Sequence, residues 1–405
     1  MTDNAVAEAP LSGVRVVEIA SFVAVPLAGM TLAQLGAEVI RVDPVGGGAD
    51  YRRWPLTAGG TSIYWTGLNK GVRSVAVDLR AADGQDLVRR LILGAGVLIT
   101  NVVGRQWHSF ETLVDERPDL VHLEVSGRAD GSTGVDYTVN AAAGFPMVTG
   151  PPDHQAPINH ALPAWDVACG LYAALGVVAA LRRRDATGRG SQLTLALENV
   201  ALATGGALGF LTEPMVNGTE RERLGNSVYG QYGQTFRSSD GATFMIVALT
   251  ARHFRDLAVL TGTLEAVAAL EKALGVDFFD EGDRFRYRDA LTGLFNVWFG
   301  GHTAEQISAA LSETAILWER YRSFGEVAES ARVTENPMFR PLTQPGLGEY
   351  RAAGLPLSFD GEHPAARPAP ALGDDTRGVL ADLLALPAEE IDRLIAAGTV
   401  AGGAG

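Results

Sequence analysis

The chain has 405 residues, 47% of them hydrophobic and 20% charged, with a formal net charge of −14. This balance excludes a largely disordered chain and lacks the general electrostatic footprint of a nucleic-acid-binding protein. The length allows two or three structural units around a sizeable core.

In chain order, Val14 to Ile19 is a short β-branched run that reads as a buried strand. Pro26 to Gly36 carries Leu27, Met30, Leu32 and Leu35 at helical spacing, and Glu38 to Val42 reads as a second strand. Strand, helix and strand in succession make a βαβ unit with a parallel pair. The pattern recurs: strand at Ser74 to Leu79, helix at Ala81 to Leu93, strands at Gly96 to Thr100 and Leu120 to Val125. Gly127 to Pro163 is Gly-, Pro-, Asn- and Asp-rich and reads as loop. A long apolar helix is predicted over Asp166 to Arg184, then a turn at Thr187 to Gly190 and a strand from Gln192. Glu213 to Gly233 reads as a second polar connection. Thr243 to Leu249 is a strand, most of Ala251 to Ala328 is helical, Asn336 to Pro345 is a linker, and Asp374 to Ala396 carries one or two amphipathic helices.

A lone cysteine, Cys169, leaves no disulfide partner and no Cys-rich metal site. Beside Asp166 in an apolar helix it reads as core rather than as a thiol nucleophile. Met1 to Pro10 lacks a basic region ahead of an apolar stretch and does not read as a secretory signal. The uncharged stretch Val167 to Leu181 is short for a membrane span. A reduced, cytoplasmic, soluble protein without a membrane partner is expected. The chain lacks a P-loop, a G-x-G-x-x-G after the first strand, a G-x-S-x-G elbow and an H-E-x-x-H pair. His154 and His160 share one loop and read as solvated or core-capping residues rather than metal ligands.

Two segments say more. Asp166 follows a Pro-bounded loop at a predicted helix start, and from the local pattern alone the first reading is an N-cap. Asn69 to Ser74 precedes a strand and Thr100 to Arg105 follows one. Loops at strand ends are either ordinary turns or the places where α/β sheets bind ligands, and both readings stand open.

Together these segments resemble the family III CoA-transferases. The resemblance begins at Leu11-Ser12-Gly13-Val14 and runs through Leu35 to Pro44, Asn69 to Leu79, Asn101 to Gly104 and Asp166 to Gly190, closing with Pro368 to Thr376. It implies an α/β fold: a large domain with a mostly parallel, Rossmann-like sheet, plus a smaller α+β domain, in an interlocked homodimer. The implied divisions are 1–198 for the large domain, 199–225 for a linker, 226–330 for the small domain, 331–352 for a second linker, and 353–405 returning to the large domain. The resemblance makes Asp166 the nucleophile, through an aspartyl-CoA thioester, with CoA entering as part of an acyl-CoA substrate and no permanently bound cofactor or metal. A carboxylate that attacks a thioester splits one exchange into activated acyl steps.

CoA carries phosphates, so Arg41, Arg73 and Arg105 are candidate charge partners, with Asn69 and Asn101 as turn-orienting groups. The family's lysine before Arg73 is Val72 here, and its basic residue after the second strand's acid is Pro44. Gly230-Gln231-Tyr232-Gly233 matches the family's glycine loop in altered form, making Gly230 and Tyr232 candidate substrate contacts. The racemase branch needs a second base where Val135 stands, which disfavours racemisation. The loop Ser21 to Pro26 is apolar, so Phe22 and Val23 are expected to line a small pocket. Further stretches, including Asp43 to Pro55 and Asn159 to Asp166, resemble the branch that moves CoA between the C1 and C4 carboxyls of methylfumarate. Arg52 or Arg53 is then the cation for the free carboxylate. The alternatives are intermolecular transfer to a separate small acid, and a CoA-ester racemase or non-catalytic CoA-binding relative.

Overall fold

The first strand, β1 (Arg15–Ile19), is buried along nearly its whole length, as a strand covered on both faces must be. A computed structural model of the chain describes residues 9–403. The stretch Met1 to Glu8 on which the signal-sequence reading rests lies outside the described residues. The described residues fall into two compact units: 9–143, 160–218 and 331–403 in the first, 144–159 and 219–330 in the second.

The first unit is built on one sheet. After β1 come helix α1 (Ala24–Gln34), β2 (Glu38–Pro44), the short helix α2 (Ile63–Leu68), β3 (Arg73–Val77), α3 (Ala82–Ala95) and β4 (Val97–Thr100). Then follow β5 (Val121–Ser126), α4 (Asp136–Ala142), α5 (Ala164–Thr187), β6 (Ser191–Ala196) and α6 (Leu197–Ala207). The strands lie in the order β3-β2-β1-β4-β5-β6, all parallel, and Val400–Ala401 pairs antiparallel with β3 at the edge. Val17, Ile40, Val75 and Leu98 from the sheet pack against Leu87 and Leu91 of α3 and against Val379 and Ile391 of the C-terminal helices. The order reverses between β1 and β4, and the carboxyl ends of strands flanking such a switch form a crevice for ligands.

Two glycines set α5. A Cβ at Gly170 would stand 2.6 Å from the Ala24 carbonyl, so only glycine lets α5 approach α1 this closely. Gly188, at φ +68°, ends the helix in the left-handed conformation. The helix runs beyond the uncharged stretch at both ends. By length and composition it could cross a membrane, a test that buried core helices also pass. Trp165, Cys169, Ala173 and Val177 on its inner face are buried.

The second unit is a three-stranded antiparallel sheet, β7 (Tyr232–Arg237), β8 (Thr243–Ala248) and β9 (Leu317–Arg320), covered by helices between Ala251 and Ser312. Its core is aromatic, with Tyr232, Phe236, Phe244, Phe254, Phe295 and Phe299 buried together.

Three stretches read as loop or linker are ordered. Gly127 to Pro163 contains α4 and a turn of helix at Phe145–Val148. The expected linker 199–225 is largely α6 and the helix Thr212–Asn217, and 331–352 holds the antiparallel hairpin Phe339–Gln344 with Gly348–Ala353. Residues 144–159 cluster with 219–330 because Arg223 donates to four of their carbonyls, those of Pro146, Met147, His154 and Ala156. No local periodicity announces such a clamp.

Candidate active site

Asp166 lies in the first turn of α5. It is not the residue that caps the helix. The backbone N–H groups of Trp165 and Asp166 both donate to Oδ2 of Asp136, at 2.7 and 3.1 Å. Asp136 is 2% exposed, and its Oδ1 accepts from Nε2 of His160 at 3.0 Å. The Asp166 carboxylate is half-buried and accepts no hydrogen bond from the described residues. Burial first, then the neighbouring Asp136 charge, push its pKa up to about 6, against the opposing pull of Arg53. The N-cap reading is therefore corrected: the helix-end donors are taken by a carboxylate from another element, and Asp166 is left free.

The loop after β1 is pinned across the switch point. Ser21 N–H donates to Oδ1 of Asn101, and Nδ2 of Asn101 returns a bond to the Ser21 carbonyl at 2.9 Å. Asn101 directly follows β4, so it fixes the two strand ends to each other. Phe22 adopts φ +67°, a conformation costly for a bulky side chain, and its N–H donates to Asp50. The Arg53 guanidinium sits 5.3 Å from the Phe22 ring centre and 5.0 Å from that of Tyr64. Burial pushes the Tyr64 phenol up to about 12, and the Asp166 charge adds to the rise. Arg53, Tyr64 and Asp136 thus act electrostatically with Asp166, and Phe22 joins them through Arg53.

Several expected ligand contacts stand elsewhere. Arg41 is fully buried, and its guanidinium is saturated by Glu18, Asp43, Asp50, Asn69 and the Ala20 carbonyl. It has no donor left for a phosphate. Asn69 is consumed in that network and in capping α2 through the Trp65 carbonyl. Arg73 opens β3, opposite the end where β1 and β4 finish, and meets Glu38, Asp375 and Asp382. Three carboxylates already answer its charge. Arg105, after β4, is exposed and forms no ion pair among the described residues. Val23 is buried at 8%, so of the apolar pair only Phe22 is open. Arg52 is exposed and lines a hollow of about 400 Å³ with Tyr51, Trp65 and Thr66, while Arg53 turns to Phe22 and Tyr64.

In the second unit Gly230, at φ +73°, precedes β7. Tyr232 is wholly buried, its hydroxyl on Thr292 and its ring edge-on to Phe254 and Phe295. It is core, and its expected substrate contact is corrected: strand alternation turns its ring into the small unit. Cys169 is buried too, its thiol pushed up to about 12 by burial. It has little thiolate to offer as a nucleophile. No cluster of three or more His, Cys, Asp or Glu among the described residues could hold a metal ion. Asp136, Tyr64 and Asp50 were not singled out from sequence, and His160 was read only as a solvated or core-capping residue. The only available hint was one acidic residue opening a short helix in a stretch that reads as loop.

The model of CoA-transferase family III matches residues 11–376. The chain is 44% identical to 2-methylfumaryl-CoA isomerase of Chloroflexus aurantiacus over 97% of its own length and 98% of that protein's. It is 27% identical to succinyl-CoA–D-citramalate CoA-transferase of the same organism, over 95% and 96% of the two chains. Among solved structures, a CAIB/BAIF family protein from Brucella suis superposes with a TM-score of 0.76 at 26% identity, covering 92% of this chain and 99% of that one. On this match across nearly its whole length, the chain belongs to CoA-transferase family III.

Proposed function

We propose that this enzyme moves CoA within one molecule, converting 2-methylfumaryl-CoA to its 3-methylfumaryl regioisomer. The observation that carries the choice of substrate is the end-to-end likeness to 2-methylfumaryl-CoA isomerase. What supports Asp166 as nucleophile is its free, half-buried carboxylate beside the strand-end crevice. With a pKa of about 6 it is ionised at neutral pH yet more basic than an ordinary aspartate.

In this reading the Asp166 carboxylate attacks the thioester carbonyl, the C–S bond breaks, and a mixed anhydride and CoA thiolate form. The thiolate attacks the aspartyl carbonyl, giving an aspartyl-CoA thioester and free methylfumarate. The dicarboxylate then presents its other carboxylate and the two steps run in reverse. Each tetrahedral oxyanion needs N–H donors. In this reading Arg53 holds the free carboxylate and Phe22 meets the methyl group. Arg105 and Asn101 serve the CoA end. No resident cofactor takes part.

We also infer a homodimer. Leu171, Tyr172 and Leu175 on the outer face of α5 are exposed, as are Leu208, Met215 and Val216. Exposed apolar side chains in this number suit burial against a second copy of the chain.

The test is an acceptor-free assay. The protein is incubated with 2-methylfumaryl-CoA and the regioisomer is followed by chromatography, beside Asp166→Asn. Conversion without added acid, lost in the variant, is expected. Conversion only when a separate carboxylic acid is supplied would replace this reading with intermolecular transfer.

A further inference from the structure

A nucleophilic carboxylate in the first turn of a helix faces a difficulty. The unsatisfied N–H groups and the positive end of the helix dipole stabilise a carboxylate there, which makes it less basic and draws it into capping. A less basic carboxylate is a weaker nucleophile. Asp166 occupies such a position and escapes both effects.

We propose that Asp136, oriented by His160, is a positioning residue that occupies the N-terminus of α5 and so keeps Asp166 free and basic enough to attack the thioester. The inference rests on Asp166 being the nucleophile. Its geometry is complete on Asp136: Oδ2 takes the N–H groups of Trp165 and Asp166, and Oδ1 takes Nε2 of His160. The His160 ring lies about equally far from Tyr137 and Trp165, 6.1 Å between centres in each case. Asp136 is therefore buried and fixed from three sides, whereas Asp166 receives no hydrogen bond from the described residues. Two carboxylates brought to one helix end with unequal hydrogen bonding divide their roles, the one left without donors becoming the more basic.

The other charged or titratable groups around Asp166 are few. Arg53 and Tyr64 face it from the turn after β2 and from α2, and Cys169 lies on its own helix. Tyr137 follows Asp136 on α4. The α1 sequence, AVPLAGMTLAQ, brings no titratable group. Glu198 of α6 accepts from the Ala129 N–H, and β5 contributes His122, which bonds the His108 carbonyl, and Glu124. Asp136 is the acidic neighbour whose charge lifts Asp166.

The experiment titrates Asp166 directly, without substrate. Infrared carboxyl spectra of the full chain are recorded against pH, with Asp166→Asn subtracted to isolate the Asp166 signal. The same is done in the Asp136→Asn background. Removing the Asp136 charge should lower the Asp166 midpoint by roughly one pH unit, the scale of one close charge. The acid limb of kcat should move down with it, and kcat on the plateau should fall about tenfold with KM nearly unchanged. His160→Ala should lower the midpoint less, and His160→Gln, which keeps an N–H donor, should restore it. A folded Asp136→Asn chain with an unmoved midpoint overturns the proposal. Should that variant not fold, an unmoved midpoint in His160→Ala overturns it instead. A midpoint that falls while the wild-type chain transfers no CoA supports the electrostatic link and removes only the nucleophile reading beneath it.

Discussion

Glu18, Asp43 and Asp50 in one place, and Asp136 and Asp166 in another, are acidic residues withdrawn from water in opposite ways. The first three close around Arg41, which reaches each at 2.9–3.0 Å with no solvent exposure. Burial first, with the Asp43 and Asp50 charges adding to it, drives Glu18 up to about 8 despite the adjacent guanidinium. That group is inert because its donors are exhausted. Its product is mechanical: Asp50, held by Arg41, holds the Phe22 N–H and thus the strained turn beside the crevice. In the second group Asp136 takes the helix-end N–H groups, and Asp166 beside it is left without a hydrogen bond from the described residues. Buried acids gathered around one saturated cation make scaffold, and a buried acid left without a donor is a candidate for reactivity.

Replacement of residues on either side sharpens the contrast. The largest effect on activity belongs to Asp166→Asn, with turnover down on the order of a thousandfold or more, since the covalent route is lost. The same variant should be more stable than wild type at pH 8. The Asp166 pKa is raised on folding, so the folded chain holds its proton more tightly, and stability falls as pH rises from about 4 to about 6. Asparagine abolishes that loss, and thermal melts at pH 5 and pH 8 would reveal it. A melting-temperature gain at neither pH would contradict the raised pKa. Arg41→Met should cost about 3–5 kcal/mol, because it strands three buried carboxylates, and urea titration measures it. An unfolding midpoint close to wild type would show that these acids are not held by Arg41.

Arg53→Ala is a gentler change. Arg53 opposes the rise at Asp166, so its loss should move the acid limb of kcat upward and raise KM several-fold if it grips the free carboxylate. A downward shift in the pH profile would reverse the electrostatic assignment. Cys169→Ala should be nearly silent in turnover and cost about 1 kcal/mol from a small cavity. A large loss of activity with stability intact would reinstate the thiol.

The βαβ succession was readable because parallel strands buried on both faces are near-continuous Val, Ile and Leu runs, as in Arg15–Ile19 and Val97–Thr100. Asp166 could be found by its place in a family pattern, although its local surroundings suggest a cap. The assignment of Arg41 to phosphate failed for a physical reason. An arginine in a strand reads the same whether its neighbours are water or carboxylates, and Glu18 and Asp50 meet it only through β1–β2 pairing and a returning turn. Tyr232 is lost to the core in the same manner, through strand alternation and aromatic packing.

Sequence by itself thus determined the strands, the long helix and the family, since these are written in local periodicity and ordered motifs, and the same motifs point to Asp166 as the proposed nucleophile. Only the tertiary structure decided which charges are free. Whether a side chain is paired depends on groups 20 to 30 positions away, such as Asp136 for the α5 terminus and Glu18 for Arg41. Pairing in a low-dielectric interior, not residue type, fixes which carboxylate stays inert and which can attack.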